Sequence, residues 1–301
     1  MLFSLVVPTY NNLSELKACL AALEAIPRTD FEVLIGVDGS TDGTVEWLAT
    51  ANFHFSFRAL EHPGGVNRGR SATRNLALPY LRGKYTLFMD SDMQAKPDLF
   101  EQHLKVLGKG NAISIGTVHY RNRGKNVWVR YSSERGVAKY ANGAEVPFNY
   151  FITPNTALPT DFVLGCEGFD AQISRYGGED MELGFRIHKK YAPHYYFNAD
   201  AIVTTTQPKT LEEALPQLRE YGATGLRYIT RKWPELSHIY WVNRCESKKL
   251  SDRIFEFLTK KFFQKIAWGI LRISPYSIKK SMISFLVVSH VHEGYRTGKY
   301  E

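Results

Sequence analysis

Three short apolar runs in the first 90 residues decide the fold class of this chain. Phe3-Ser4-Leu5-Val6-Val7 closes on Pro8, Glu32-Val33-Leu34-Ile35-Gly36-Val37 on Asp38, and Tyr85-Thr86-Leu87-Phe88-Met89 on Asp90. Each is too short for a helix and too continuously apolar for a half-exposed strand, so each reads as a strand buried on both faces. Between them lie stretches with helical spacing, Leu13 to Ile26, Thr44 to Ala51 and Arg70 to Leu81, and a further alternating run, Phe53 to Leu60, reads as a strand. Strands alternating with helices predict an α/β fold with a Rossmann-like, mostly parallel sheet covered on both faces. Ligands of such sheets gather outside the carboxyl ends of the strands. Those ends are Thr9-Tyr10-Asn11, Asp38-Gly39-Ser40 and Asp90-Ser91-Asp92, one polar rim.

From Asn111 to Tyr176 the pattern loosens into Gly- and aromatic-rich segments, expected to be short strands and loops closing over the rim. Helices are predicted from Gly178 to Lys190, Thr210 to Lys232 and Leu250 to Ile273, with Pro275 before a last segment, Ile278 to Val288. The chain has 44% hydrophobic and 23% charged residues, which excludes disorder and coiled coil. Its three cysteines, Cys19, Cys166 and Cys245, show no C-x-x-C spacing. That argues against a disulfide framework or a cysteine zinc site and leads us to expect a reducing, cytoplasmic setting. No basic, cleavable leader and no apolar run of membrane-spanning length is apparent.

The net charge of +8 is uneven, because Lys248 to Glu301 holds 11 Lys and Arg against 4 Asp and Glu. A nearly neutral body argues against nucleic acid as a partner. The basic tail leaves open a peripheral contact with an inner membrane face, a homodimer contact, or packing on the body with its lysines in water.

Asp90 and Asp92, with Ser91 between them, could hold a divalent ion on a diphosphate or bond a sugar hydroxyl. Asp38 leaves its strand before the turn and could accept from a nucleobase or ribose; Thr41 and Asp42 suit helix capping. Arg68-Gly69-Arg70-Ser71-Ala72-Thr73-Arg74-Asn75 brings planar guanidinium groups to the same side, fit for a base or a phosphate. Gly177-Gly178-Glu179-Asp180-Met181-Glu182 puts two acids into the first turn of a helix, which the helix dipole favours and which also suits a general base. Neither G-x-G-x-x-G, a P-loop, H-E-x-x-H nor G-x-S-x-G occurs, and His290 and His292 on a polar tail read as solvated.

Taken in order, Val6-Val7-Pro8-Thr9-Tyr10-Asn11, Val37-Asp38-Gly39-Ser40-Thr41-Asp42, Ala72-Thr73-Arg74-Asn75, Asp90-Ser91-Asp92, Gly168-Phe169-Asp170 and Gly178-Glu179-Asp180 resemble the inverting family 2 glycosyltransferases. The Gly-Gly-Glu-Asp-x-Glu form is similar to the chondroitin-polymerase and polypeptide GalNAc-transferase branch. The resemblance covers residues 3 to 208 and implies the glycosyltransferase-A fold. It makes residues 1–208 a catalytic domain, with a nucleotide half over about 1–110 and an acceptor half over about 111–208, and 209–301 a helical, basic extension. It implies transfer from a nucleotide-diphospho-sugar, usually a UDP-sugar, to a hydroxyl of a glycan or lipid-linked acceptor in polysaccharide or surface-glycan synthesis. Pro8, Thr9, Tyr10, Asn11, Asp38, Gly69, Arg70 and Arg74 would hold the nucleoside, Asp90, Ser91 and Asp92 the ribose and diphosphate, and Asp180 would be the base beside Glu179.

In that branch a histidine after the next strand completes a metal site, whereas here the stretch is Ala201-Ile202-Val203-Thr204-Thr205-Thr206-Gln207-Pro208. Asp90 and Asp92 remain the candidates for Mn or Mg, and the expectation is metal-independent donor binding, with Lys209 or a tail residue neutralising the diphosphate. A sugar-nucleotidyltransferase would want a Gly-rich basic loop after the first strand, which Pro8-Thr9-Tyr10-Asn11-Asn12 is not. A non-catalytic nucleotide- or glycan-binding module would be favoured if Glu179 and Asp180 were dispensable.

Overall fold

The structure, a computed structural model, describes residues 1–121, 126–245, 247 and 249–298. Of the tail charges counted above, Lys248, Lys299 and Glu301 lie outside them. The chain divides into two compact units, one of Met1–Arg123, Ser133–Ser174 and Glu179–Pro208, the other of Gly124–Ser132, Arg175–Gly178 and Lys209–Glu301.

The chain begins β1 (Phe3–Thr9), α1 (Leu13–Glu24), β2 (Phe31–Val37), α2 (Thr44–Thr50), β3 (Ser56–Glu61), α3 (Arg70–Asn75), β4 (Tyr85–Met89) and β5 (Met93–Ala95). It continues α4 (Leu99–Leu107), β6 (Ala112–Tyr120), α5 (Val127–Arg135), β7 (Asn155–Pro159), α6 (Thr160–Gly165), α7 (Glu179–Tyr191) and β8 (His194–Thr205). The strands form one sheet in the order β3-β2-β1-β4-β7-β6-β8-β5. Neighbours β3, β2, β1 and β4 run parallel, as do β6 and β8, while β7 and β5 run antiparallel to their neighbours. The sheet is therefore mixed but mostly parallel, as the apolar runs predict.

Pleating divides β1 between two cores. Phe3, Leu5 and Val7 pack with Leu16, Leu20 and Phe100 on one face, and Val6 packs with Leu34, Phe88 and Phe169 on the other. Ser4 of β1 and Glu32 of β2 are among the buried polar residues. Ser4 donates to Glu32 at 2.7 Å and Arg82 Nε at 2.8 Å, and these bonds hold the Glu32 carboxyl below its usual range against the opposing effect of burial. A second buried group sits deeper in the sheet. His103 is fully buried, with Nδ1 2.9 Å from Ser114 and Nε2 2.9 Å from Asn155 Oδ1. The Asn155 amide donates to the carbonyls of Thr117 and Ala201, so its oxygen faces the ring and Nε2 carries the proton.

Several expectations are corrected. β3 begins at Ser56 rather than Phe53, because the His54 N–H is taken by the Glu24 carboxylate at the end of α1. α3 stops at Asn75, and Pro79 sits in a separate 3-10 turn, Leu78–Tyr80, where it needs no N–H. The stretch expected to be loose contains nine-residue β6 and central β7. Gly116 within β6 is required for close approach, because a Cβ there would clash with the Asn155 amide nitrogen.

The second unit is helical: α8 (Leu211–Tyr221), α9 (Arg227–Lys232), α10 (Leu250–Leu258), α11 (Lys261–Ile273) and α12 (Tyr276–Thr297). The helix expected from Thr210 to Lys232 is interrupted by a π turn, Gly222–Leu226, where Thr224 donates to the Glu220 carbonyl. The helix expected from Leu250 to Ile273 breaks at Thr259, whose carbonyl is capped by Gln264 at 2.9 Å. The last segment extends to Thr297, and His292, expected to be solvated, is buried between Cys245 Sγ at 3.1 Å and the Tyr240 carbonyl at 2.6 Å. Tyr131, Leu211, Leu215, Ala267, Leu271, Ile283, Leu286 and Val287 form this unit's main core.

Candidate active site

Parallel β1, β2 and β4 end on one edge, and side chains stitch those ends together. Asn11, at φ +46°, donates its N–H to Ser40 Oγ at 3.0 Å and accepts the Thr41 N–H at 2.7 Å. Asn12 donates to Ser91 Oγ at 3.2 Å. Asp42 accepts the Leu13 N–H at 2.8 Å and the Thr44 hydroxyl at 2.6 Å, so it caps two helix starts and its carboxyl is held below its usual range, burial opposing. Pro8 lies in the ladder opposite Gly36, where β1 needs no N–H from it. Thr9 is buried with its hydroxyl unpartnered, and the Tyr10 ring stands exposed at the rim.

Asp38 is buried, and its carboxylate accepts the N–H of Arg68 at 2.7 Å and of Gly69 at 3.0 Å. It shapes the loop that presents the arginine stretch. Gly69 is at φ +84°, and a Cβ there would stand 2.5 Å from the Ser174 carbonyl oxygen, so only glycine fits.

Arg74 is the hub. Its guanidinium is buried over the Phe169 ring at 5.3 Å and lies 2.8 Å from Asp90, 3.5 Å from Glu179 and 4.0 Å from Asp180. Burial alone would weaken its proton affinity, but Asp90, Asp180 and Glu179 together raise it above the usual arginine value. Arg70, more exposed, reaches Glu179 at 3.5 Å. Arg74 Nη1 and Glu179 Oε2 are buried without a hydrogen-bond partner, which leaves both able to bond a ligand. The hub is braced from below. Asn75 exchanges hydrogen bonds with Phe169, Ser71 donates to Ile173, and Arg186, paired with Glu182, donates to the Cys166 and Gly168 carbonyls.

Asp180 opens α7 beside Glu179. Burial first, and then the Glu179 charge, push its carboxyl up to about 7, opposed by Arg74 and by the Thr153 hydroxyl. Thr153 donates to Oδ1 at 2.9 Å. A carboxylate poised near neutrality, oriented by hydrogen bonds and beside an arginine, has the attributes of a general base.

Asp92 accepts the Thr205 hydroxyl at 3.0 Å, and Asp90 is already paired with Arg74. Thr205, at the end of β8 in the stretch that carries no histidine, thus meets Asp92. Among the described residues no cluster of three or more His, Cys, Asp or Glu is placed to hold a metal ion. Mn or Mg on a diphosphate is ordinarily held by one or two carboxylates together with the phosphates, and Asp90 and Asp92 are the carboxylates placed for that.

The structure gathers Arg70, Arg74, Asp90, Glu179 and Asp180 within ion-pair reach, and on the adjoining rim joins Asn11 to Ser40, Asn12 to Ser91 and Gly69 to Asp38, with Pro8, Thr9 and Tyr10 at the end of β1 beside them. Sequence reading missed Thr153 and, though it quoted Asn75 within the arginine stretch, gave that residue no role. A lone threonine in a loop carries no spacing signal, while the bonds of Asn75 to Phe169 join residues 94 positions apart.

A sequence model described as Glycosyl transferase family 2 matches residues 4–166. The chain is 26% identical over 239 residues to the uncharacterized glycosyltransferase YfnE of Bacillus subtilis (strain 168), covering 62% of this chain and 60% of that one. It is 23% identical over 223 residues to a chondroitin synthase of Escherichia coli, covering 62% of this chain and 32% of that one. It therefore spans less than two thirds of the length of these relatives. Among solved structures, S. aureus TarS 1-349 in complex with UDP-GlcNAc aligns with a TM-score of 0.58 at 16% identity over 99% of this chain and 90% of that one. The mannosyltransferase PcManGT from Pyrobaculum calidifontis, in complex with GDP-Man and Mn2+, aligns with a TM-score of 0.64 at 15% identity over 98% and 87%. These likenesses establish the glycosyltransferase-A fold expected from the motifs.

Proposed function

This chain belongs to glycosyl transferase family 2, and from that membership we propose that it transfers a sugar from a UDP-sugar to a hydroxyl of a glycan or lipid-linked acceptor, inverting the anomeric carbon. Catalysis is assigned to residues 1–208, with 209–301 as a helical extension, and the setting to polysaccharide or surface-glycan synthesis in the cytoplasm. The observation that carries the reading is Asp180, pushed up to about 7 and held by Thr153 within 4.0 Å of Arg74.

The reaction is one in-line displacement. The acceptor oxygen attacks the anomeric carbon as the bond to the diphosphate oxygen breaks, and the acceptor proton passes to Asp180. The departing diphosphate needs positive charge in a site shielded from water. Arg74, whose Nη1 makes no hydrogen bond although it lies within ion-pair reach of Glu179 and Asp180, and the more exposed Arg70 supply it. Tyr10 offers an exposed ring for the base, and Asp90 and Asp92 carry acceptors for ribose hydroxyls. A divalent ion, where one binds, would be held through Asp90 and Asp92 and would screen the diphosphate; no step above depends on it.

A thermal-shift panel of UDP, GDP, UDP-sugars and GDP-mannose tests this reading. Stabilisation by UDP compounds is expected, and stabilisation by GDP compounds alone would replace the donor assignment.

A further inference from the structure

We infer that the second unit carries a docking surface for an anionic lipid bilayer, formed by the outer faces of α10 and α11. This goes beyond the transferase reading and does not depend on it.

Helix α11 is apolar on two sides. One side, Ala267 and Leu271, is buried in the unit's core beside Ile283, Leu286 and Val287. The other side lies in solvent: Phe262 is 67% exposed, Ile266 45% and Ile273 88%, at the i, i+4 and i+11 positions of a single stripe. Helix α10 repeats the pattern, with Leu250 74% exposed and Ile254, Phe257 and Leu258 exposed on the same helical face. The stripes are continuous, because the Phe263 ring lies 5.4 Å from that of Phe257 and 5.3 Å from that of Phe262. Scattered exposed apolar residues are ordinary, but a joined stripe across two helices is not.

The border of the stripe identifies the occupant. Lys261, Lys265 and Arg272 recur along one side of α11, and Arg253 takes the matching place on α10. From Lys249 to Lys280 there are eight Lys and Arg against Asp252 and Glu256, and Asp252 is already paired with Arg244. Phenylalanine, isoleucine and leucine flanked by cations match the boundary between acyl chains and anionic headgroups. A face that packed on protein would keep its centre apolar without needing a one-sided row of cations. Among the described residues no helix is long and apolar enough to cross a membrane, so the contact is peripheral.

Co-sedimentation of the full chain with vesicles tests the inference, using phosphatidylcholine alone and phosphatidylcholine mixed with phosphatidylglycerol, at low and high salt. Binding to the anionic vesicles is expected, falling at least tenfold at high salt or without phosphatidylglycerol. The exposed pair Phe262→Ser and Ile266→Ser should abolish binding in every condition while leaving the melting temperature unchanged. The pair Lys261→Gln and Lys265→Gln should weaken the preference for phosphatidylglycerol. Failure of the wild-type chain to sediment with anionic vesicles at low salt would overturn the inference. So would a dimer that only Phe262→Ser and Ile266→Ser dissolves, since that assigns the face to a second copy. Because the readout is lipid binding, neither result bears on sugar transfer.

Discussion

Thr153 is joined twice to Asp180: its hydroxyl donates to Oδ1 at 2.9 Å and its N–H to Oδ2 at 3.3 Å. Both bonds favour the ionised carboxylate and so work against burial and the neighbouring Glu179 charge, which push the group up to about 7. Thr153→Val keeps the N–H and removes the hydroxyl, so the acid limb of kcat/KM should move to higher pH. At pH 6 the rate should fall about three- to tenfold, with little change at pH 9. Thr153→Ser should restore the wild-type profile; an unmoved limb would detach Thr153 from the proton transfer.

The wild-type profile has a definite sign. The base acts only when ionised, so kcat/KM should rise about tenfold per pH step below pH 7 and level above it. Asp180→Asn removes the base and should reduce kcat by about two to four powers of ten. UDP affinity should stay within about threefold, because this group serves the acceptor rather than the donor. Near-normal turnover by the variant would remove Asp180 from the reaction.

Donor binding should be almost indifferent to chelation. Asp90 is bonded to Arg74 and Asp92 to Thr205, and Arg70 and Arg74 are the cations proposed for the diphosphate. Calorimetric titration of UDP in EDTA and in Mn is expected to give similar affinities. A loss of tenfold or more in EDTA, about 1.4 kcal/mol, would mean that the ion takes part of the charge assigned here to arginine.

Those parts of the fold carried by dense local signals were legible in advance. β1, β2 and β4 are unbroken apolar runs, and their polar exits fall on one rim because parallel neighbours end on the same edge. β6 and β7 were not legible, because their identity lies in long-range pairing. Ser114, Gly116 and Asn155 look like loop residues until the sheet buries them around His103. The site was half visible. Its charged members stand out by type, whereas Thr153 and Asn75 matter through partners 27 and 94 positions away. The break at Thr259 was hidden for the opposite reason, since the apolar spacing runs straight across it.

Gly69→Ala tests the loop that carries the arginines. The new Cβ would stand 2.5 Å from the Ser174 carbonyl at a φ of +84°. A stability loss of about 1–3 kcal/mol is expected in urea unfolding, with weaker UDP binding as the N–H bond to Asp38 is displaced. A variant as stable as wild type would show that the turn has room to relax.

His103 gives the fold an acid limit that lies apart from the chemistry of the rim. Buried among Ser114, Asn155 and the strands they belong to, its ring is depressed to about 4, chiefly because burial disfavours the charged form. An unfolded chain takes up that proton below about pH 6.5, whereas the folded chain refuses it until about pH 4. Stability is therefore complete above pH 6.5 and drains between those values, by roughly 3 kcal/mol in full. Asp180, with its raised carboxyl, acts in the opposite sense over the same range, so the His103 contribution is read as a difference: measured against His103→Gln, which keeps a side chain able to bond Asn155, the wild-type urea midpoint should lose ground between pH 7 and pH 5. Acidification then reaches this enzyme in two places: Asp180 at the rim takes up its proton near pH 7, and below pH 6.5 the strands packed around His103 lose stability behind it.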